Sequence, residues 1–140
     1  MKKYVFILIM FFFFASSSAA GDFGVSGYGE KWDRWDIGLE ITWEVLHLID
    51  WGTTRNMTHR YNEGYSEMNP ILGSHPSTSQ VDVYMFTGAL LHPVVTHLLP
   101  KKIMFGDFEI PARRVFQSIS IVVSGSCVIN NLSVGLQVEF

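Results

Sequence analysis

The sequence has a single cysteine, Cys127, and few charged residues. One cysteine excludes an internal disulfide and any metal site built from several thiolates. Charged residues make up 16% of the 140 residues, whereas soluble domains average about 25%. The composition therefore favours a membrane protein or a domain with a very apolar core. Because Cys127 lies in an apolar run, we expect it to be a small buried side chain.

Concentrated positive charge is also missing. Ten lysines and arginines stand against thirteen aspartates and glutamates, which gives a net charge of −3. The basic residues are dispersed or in short pairs, and this argues against nucleic acid as a partner. The chain further lacks a glycine-rich phosphate loop, a catalytic serine motif and a Cys–His pair. The sequence therefore predicts no catalytic residue and no cofactor.

The first twenty residues have the pattern of an export signal. A basic start, MKK, precedes the apolar run YVFILIMFFFF and the small residues ASSSAA. A run of about 11 apolar residues is short for a membrane span, which needs about 20. We therefore predict cleavage after Ala20, with an uncleaved transmembrane anchor as the alternative. A flexible leader over residues 21–35 and a single helical domain over residues 36–140 are expected to follow.

Three later segments have helical character. Residues 36–52 combine an apolar stripe with a polar face, with Asp36 as the predicted N-cap and Gly52 as the predicted end. Residues 81–100 are almost continuously apolar, and residues 115–130 are apolar and rich in small side chains that permit close helix packing in lipid. The stripe of the first helix consists of Ile37, Ile41, Val45 and Leu48, and its polar face consists of Glu40, Glu44, His47 and Asp50.

The distribution of charge distinguishes two membrane arrangements. If all three helices crossed the membrane after an exported N-terminus, the basic loop 101–114 would lie outside, against the positive-inside rule. If only the second and third helices cross, this loop faces the cytoplasm, and Glu40, Glu44 and Asp50 avoid the cost of entering lipid. We therefore predict a mainly α fold: an amphipathic helix at the interface, packed on a transmembrane hairpin. The protein is expected in the inner membrane, with most of the mature chain in the periplasm.

Two other arrangements remain open. His92, Pro93 and His97 interrupt the second predicted helix, so the helices could form the core of a soluble periplasmic bundle. The last eight residues, SVGLQVEF, alternate in polarity and resemble the closing strand of an outer-membrane β-barrel. The rest of the chain lacks the repeated alternating segments that a barrel needs.

One candidate metal site comes from the spacing of Glu44 and His47. These residues are one helical turn apart on the same side, a device that di-metal helical bundles use twice together with two further glutamates. Here the spacing occurs once. A zinc site formed by Glu44, His47 and His92 is geometrically possible. The alternative is an amphipathic helix whose polar face meets water.

A second candidate site involves the long polar connection over residues 53–80. Connections of this length are commonly functional, and its centre, EMNPILGSHPS (67–77), contains two prolines that fix turns. The alternative is that its polar side chains cap a helix end and satisfy the N–H groups of turns. The predicted binding cluster at the membrane surface consists of Asp50, Thr53, Glu67, Asn69 and His75.

Three short motifs follow one another along the chain: D-W-x-T-T-R, then E-x-N-P-I-L-G-x-H-P-S, then N-N-x-S-V-G-L. This order resembles small uncharacterised membrane-associated proteins of bacteria and phages, and the similarity covers roughly residues 33–140. The resemblance implies a membrane-associated protein, and it supplies no substrate, cofactor or catalytic residue. The matching positions are Asp50, Trp51, Thr53, Glu67, Asn69, Pro70, Gly73, His75, Pro76 and Asn131.

The sequence as a whole predicts a small exported membrane protein with a structural or interaction role in the cell envelope. Its expected partners are the lipid bilayer and either envelope proteins or further copies of the chain. The alternative is a binding or metal-dependent enzymatic module that faces the periplasm and uses Glu44, His47, Asp50 and Glu67.

Overall fold

The computed structural model describes residues 23–140, and the predicted signal peptide, residues 1–20, lies outside this range. The described chain is mainly helical, as predicted. Its three long helices are α1 (Arg34–Thr58), α2 (Thr78–Leu98) and α3 (Ala112–Ser133), and a 3₁₀-helix covers Tyr61–Glu63. Three short strands, β1 (Phe23–Ser26), β2 (Lys102–Phe105) and β3 (Phe108–Ile110), form one antiparallel sheet in the order β1-β2-β3.

α1 begins before and ends after its predicted limits. The carboxylate of Asp33 accepts hydrogen bonds from the backbone N–H groups of Trp35 and Asp36 at 2.8 and 3.1 Å. The Asp36 carboxylate accepts one from the Asp33 N–H at 3.2 Å, which completes a capping box. The prediction of Asp36 as the N-cap was therefore wrong, because Asp33 satisfies two of the free N–H groups at the helix start.

The predicted end of α1 at Gly52 was also wrong. The helix continues to Thr58, and Gly52 serves a packing purpose in its interior. A Cβ atom at this position would lie 2.5 Å from Cγ1 of Val138 and 3.2 Å from the backbone nitrogen of Glu139. Glycine is therefore needed here because the C-terminal segment of the chain crosses the helix in direct contact with its backbone.

α2 begins with a second capping box. Ser77 accepts a hydrogen bond from the backbone N–H of Gln80 at 3.3 Å, and the Gln80 side chain accepts one from the Ser77 N–H at 2.8 Å. The helix includes Pro93 and ends at Leu98. Leu99 follows in an extended conformation that terminates the helix.

α1 and α3 run parallel to each other, and α2 runs in the opposite direction. Arg113 at the start of α3 meets Asp36 at the start of α1, whereas Asn131 near the end of α3 meets Asp50. α2 begins beside the end of α1, where Asp82 pairs with Arg55. One end of the bundle, here called the sheet end, therefore carries the strands. The other, the loop end, carries residues 59–77 and the C-terminal segment.

The sheet lies in parts of the sequence that were predicted to lack regular structure. β1 falls within the segment predicted as a flexible leader, and β2 and β3 form a hairpin within the loop 101–114 that was predicted as a charged turn. β1 pairs with β2 from Phe23 opposite Phe105 to Ser26 opposite Lys102. The sheet thus ties the start of the described chain to the connection between α2 and α3.

The interior of the bundle is polar to an unusual degree. Among the described residues, nine buried side chains are polar or charged, against seven apolar side chains other than proline, and this share of polar residues is unusual for an interior. The buried polar residues are Asp36, Glu40, His47, Thr53, Thr54, His92, Thr96, Arg113 and Gln117. The buried apolar residues are Trp43, Met57, Val81, Met85, Leu99, Val128 and Leu136.

The outside of the bundle is correspondingly apolar. The stripe of α1 faces outward, with Ile41 58% and Val45 50% exposed. The expectation that the polar face of this helix meets water was wrong for Glu40 and His47, because both point into the bundle. We define the apolar outer surface by its largest exposed residues: Ile37, Ile41, Val45 and Leu48 of α1, Val83, Phe86, Leu90 and Val94 of α2, and Ile119, Val122, Val123 and Ile129 of α3.

One helix of the described chain, α3, is long and apolar enough to cross a membrane by length and composition. Cys127 lies on this helix and is exposed, so the prediction of a buried cysteine was wrong. It fails for the same reason as the prediction for α1: an apolar run in this chain lies on the outside of the bundle.

Candidate functional site

A buried ion pair joins the start of α1 to the start of α3 at the sheet end. Arg113 has no solvent-exposed area, and its Nη1 donates to Oδ2 of Asp36 at 3.2 Å. The same guanidinium donates to two backbone carbonyls at the end of α2, from Nε to Thr96 at 3.1 Å and from Nη2 to Leu99 at 3.4 Å. These carbonyls belong to the last turn, which lacks intrahelical donors. Arg113 therefore connects all three helices.

A second arginine extends this ion pair toward the surface. Arg114 donates from Nη2 to Oδ2 of Asp33 at 2.6 Å and from Nε to Oδ1 of Asp36 at 3.4 Å. The backbone N–H of Asp36 is the main group that lowers the pKa of Asp33 below its ordinary value, and Arg114 adds to this shift. The N-cap of α1 is thus ionised and tied to α3 by its charge.

One helical turn deeper, Gln117 and His92 hold the carboxylate of Glu40. The Gln117 amide donates from Nε2 to Oε2 of Glu40 at 2.9 Å and to the backbone carbonyl of Asp36 at 2.8 Å. Nδ1 of His92 lies 2.7 Å from Oε1 of Glu40, and both side chains are 7% exposed. Each helix again contributes one residue, so the network stabilises a specific register of the three helices.

Aromatic stacking fixes the imidazole of His92. Its ring lies 3.6 Å from the Trp43 ring, centroid to centroid, at an interplanar angle of 11°, and Phe116 stacks on it at 4.9 Å. His47 stacks on Trp43 at 4.7 Å, and its Nε2 lies 2.8 Å from the backbone carbonyl oxygen of Met85. Nε2 of His92 is buried and has no hydrogen-bond partner within residues 23–140.

The structure does not assemble the predicted metal ligands as a metal site. Within residues 23–140, no group of three His, Cys, Asp or Glu side chains is arranged to hold a metal ion. His47 is engaged by a backbone carbonyl and His92 by Glu40. Glu44 is partly exposed one turn away from both Glu40 and His47. Of the two residues, His47 stacks on Trp43, as His92 does, and Glu44 lies outside the buried hydrogen-bond network.

The predicted binding cluster is brought together only in part. Asn131 of α3 donates from Nδ2 to Oδ1 of Asp50 at 2.9 Å and to Oγ1 of Thr53 at 3.0 Å. This contact ties the end of α3 to α1 at the loop end. Burial is the main cause that raises the pKa of Tyr61, and the charge of the nearby Glu67 adds to it.

The remaining cluster residues shape the loop itself. Glu67 accepts a hydrogen bond from the backbone N–H of Asn69 at 2.7 Å, and the Asn69 side chain accepts one from the N–H of Ile71 at 3.0 Å. The N–H of Gly73 returns to the Asn69 carbonyl at 3.0 Å. His75 is exposed and packs edge-on against Tyr61, with ring centroids 4.8 Å apart. EMNPILGSHPS therefore forms a turn closed by its own polar side chains, as the alternative interpretation predicted for Glu67 and Asn69.

The C-terminal segment completes the loop end. The Asn56 amide donates to Oε2 of Glu139 at 2.9 Å, and its carbonyl accepts the backbone N–H of Gln137 at 3.1 Å. The Asn56 hydrogen bond is the main cause that lowers the pKa of Glu139, and His59 contributes to the same shift. The segment is held by these polar contacts and, over Gly52, by packing.

Sequence reasoning missed Arg113 and Gln117, and it assigned Asp36 to a cap alone. A signal for them is present in the sequence. Each long helix carries a pair of polar residues at a spacing of four, which places both on one helix face. The pairs are Asp36 and Glu40, His92 and Thr96, and Arg113 and Gln117.

No protein family, curated protein or solved structure matches the chain. The resemblance to small membrane-associated proteins of bacteria and phages therefore stays a prediction. The contacts and the burial of the described residues are the basis for inferring a function.

Proposed function

We propose that the chain is a structural or interaction protein of the inner membrane, in which the three helices cross the bilayer together with their polar residues turned inward. One observation supports this above all: charged and polar side chains fill the interior while the apolar outer surface covers all three helices. In water, such a bundle would bury charges and expose hydrocarbon at the same time, and both are unfavourable. In lipid, both features become favourable.

The dimensions of the bundle support this proposal. The helices have 25, 21 and 22 residues. At about 1.5 Å per residue they are about 38, 32 and 33 Å long, which is enough to cross a hydrocarbon core of about 30 Å. The apolar outer surface occupies their central parts, and the polar turns and the sheet lie at the two ends.

The network weakens the earlier objection to placing α1 in lipid. That objection was the cost of exposing Glu40, Glu44 and Asp50 to hydrocarbon. Glu40 is 5% exposed and is hydrogen-bonded by His92 and Gln117, so it does not contact lipid. Ionisable residues inside membrane bundles characteristically face the interior and pair with one another. Glu44 and Asp50 retain partial exposure, and Asn131 donates a hydrogen bond to the Asp50 carboxylate.

For orientation, we propose that the sheet end lies outside and the loop end in the cytoplasm. The predicted export signal over residues 1–20 would place the start of α1 outside. The ion pairs of Lys101 with Glu30 and of Lys102 with Glu109 lower the net charge of the sheet end, although the positive-inside rule counts Lys and Arg alone and favours the opposite orientation. Membrane-impermeant maleimide should therefore label Asp107→Cys and spare Ser66→Cys in intact cells, both in a Cys127→Ala background. The opposite labelling pattern would reverse the orientation.

The experiment that tests membrane embedding is an aspartate substitution on the apolar outer surface. In lipid, Asp in place of Ile119 at the middle of α3 costs about 2.5–3.5 kcal/mol, so the variant should lose abundance in membranes after alkaline carbonate washing. In a soluble bundle the same exposed substitution would change stability by about 0.5 kcal/mol or less. Asn62→Asp, at an exposed position of the loop end, is the control and should behave as the wild type. Release of the wild type by carbonate would refute the proposal.

A further inference from the structure

A groove of about 720 Å³ lies on the outside of the bundle, between α2 and the turn formed by EMNPILGSHPS. Its residues come from two separate parts of the chain. The turn contributes Ile71 and Leu72, and α2 contributes Ser79, Gln80, Val83, Tyr84, Thr87, Gly88 and Leu91. The groove follows one face of α2 from its first turn to a point near its middle, a distance of about 18 Å at 1.5 Å per residue.

The polarity of this groove changes along its length. On the α2 side, Ser79 and Gln80 lie at the loop end, where the helix begins, and the apolar Val83 and Leu91 lie farther along, with Thr87 between them. Val83 and Leu91 are 68% and 54% exposed, so no segment of the described chain covers the apolar part. This part is continuous with the apolar outer surface of α2, because Val83 belongs to both.

The two sides of the groove are held in place by contacts elsewhere in the fold. On the turn side, the hydrogen bonds from the Asn69 N–H to Glu67 and from the Ile71 N–H to Asn69 fix the loop that carries Ile71. On the α2 side, Gly88 lies against His47, and a Cβ atom at this position would come within 3.2 Å of the imidazole. Glycine at position 88 therefore allows α2 to approach α1 closely, which fixes the position of the α2 side of the groove.

We propose that this groove binds an acyl chain of a membrane phospholipid, with the polar part of the lipid at Ser79 and Gln80. The inference rests on the proposed function, because it requires the loop end to lie at the surface of a bilayer. A lipid at that surface has its polar group outermost and its hydrocarbon directed inward, which is the order of polarity along the groove. The turn residues Ile71 and Leu72 then contact the upper part of the chain. This assigns a role to the most distinctive motif of the sequence: it builds one wall of a lipid site.

The test is native mass spectrometry of the full chain, extracted from membranes in a mild detergent. The wild type should retain one phospholipid. Thr87→Trp places an indole in the groove at an exposed position and should lower the lipid-bound fraction by roughly tenfold, equivalent to about 1.4 kcal/mol. Ile119→Trp is the control: it introduces the same residue on the outside of α3, where Ile119 is 59% exposed, and should retain the lipid.

A second variant tests the wall supplied by the turn. Ile71→Ser leaves α2 unchanged and should also lower lipid retention, since Ile71 is 68% exposed and has little role in the stability of the bundle. Equal retention by the wild type and Thr87→Trp would overturn the inference, as would a wild type that carries no lipid. A dimer that Thr87→Trp dissociates would assign the groove to a second copy of the chain instead.

The same preparations separate this inference from the proposed function. Each variant is first washed with alkaline carbonate. If the wild type is released from membranes, the proposed function fails and the lipid site fails with it. If the wild type is retained but carries no phospholipid, only the lipid site fails.

Discussion

Replacing Arg113 with methionine should destabilise the fold more than any substitution at its surface. The guanidinium is fully buried and makes three contacts: with the Asp36 carboxylate and with the carbonyls of Thr96 and Leu99. Methionine has a similar length and no charge. The variant therefore leaves Asp36 buried, and two carbonyls at the end of α2 lose a donor.

The expected magnitude follows from the burial of the pair. Removing one partner of a buried ion pair typically costs about 3–5 kcal/mol, because the other charge stays behind; we expect the lower end of this range, since Arg114 remains 3.4 Å from Asp36. The half-exposed pair of Lys102 and Glu109 provides the contrast, with exposed side-chain fractions of 45% and 44%. Lys102→Met should cost between about 0 and 1 kcal/mol. The two substitutions create the same residue and remove the same charge.

The assay is equilibrium unfolding of both variants in detergent micelles, followed by circular dichroism. Adding Asp36→Asn to Arg113→Met should recover about 1–3 kcal/mol of the free energy of unfolding, because it removes a buried carboxylate whose remaining cationic partner is the half-exposed Arg114. If Arg113→Met costs no more than Lys102→Met, Asp36 is not in a buried environment. The polar interior on which the proposed function depends would then be refuted.

Three further predictions concern the ends of α1. Gly52→Ala should displace the C-terminal segment, which nuclear magnetic resonance would detect as loss of the contact between the Trp51 and Phe140 rings, 6.3 Å apart; an unchanged contact would contradict the packing argument. Because the pKa of Glu139 lies below its ordinary value of 4.5, ionised Glu139 favours docking of this segment above pH 4.5. This stabilisation of the docked segment should be lost as the pH falls through the lowered pKa of Glu139. The contact between the Trp51 and Phe140 rings should therefore weaken in acid, and a contact that strengthens in acid would contradict the prediction. Asp33→Ala should lower the free energy of unfolding by about 1 kcal/mol through loss of the N-cap, and Asp33→Asn, a good cap without charge, should lower it less.

The existence of the three helices could be predicted from the sequence, because long apolar segments bounded by turn residues leave few other possibilities. Which side of α1 faces inward could not be predicted by the usual rule. That rule places the apolar stripe in the core, and it assumes water outside. Here the stripe around Ile41 and Val45 is exposed, while Glu40 and His47 on the other face are buried.

The sheet and the network could not be predicted for a different reason. β2 and β3 have four and three residues, too few for an alternating pattern to stand out. The partners of the buried carboxylates are distant in sequence, since Arg113 lies 77 positions after Asp36. A single sequence shows which residues are polar but not which of them meet. In contrast, the roles of Glu67 and Asn69 are local, and turn chemistry predicted them.

The long separation between Asp36 and Arg113 has a consequence for how the chain is made. At about 5–20 residues per second, a ribosome needs between about 4 and 15 s to reach Arg113 after Asp36. During that interval Asp36 lacks Arg113, whereas the partner of Glu40, His92, follows it by only 52 positions. In the proposed membrane arrangement, hydrocarbon is a costly environment for an unpaired Asp36. We therefore expect α1 to wait in the translocation machinery or at the membrane surface until α3 emerges. A chain truncated before residue 112 should be degraded rather than inserted. Stable insertion of α1 would then require Arg113, so only chains that include the start of α3 would accumulate.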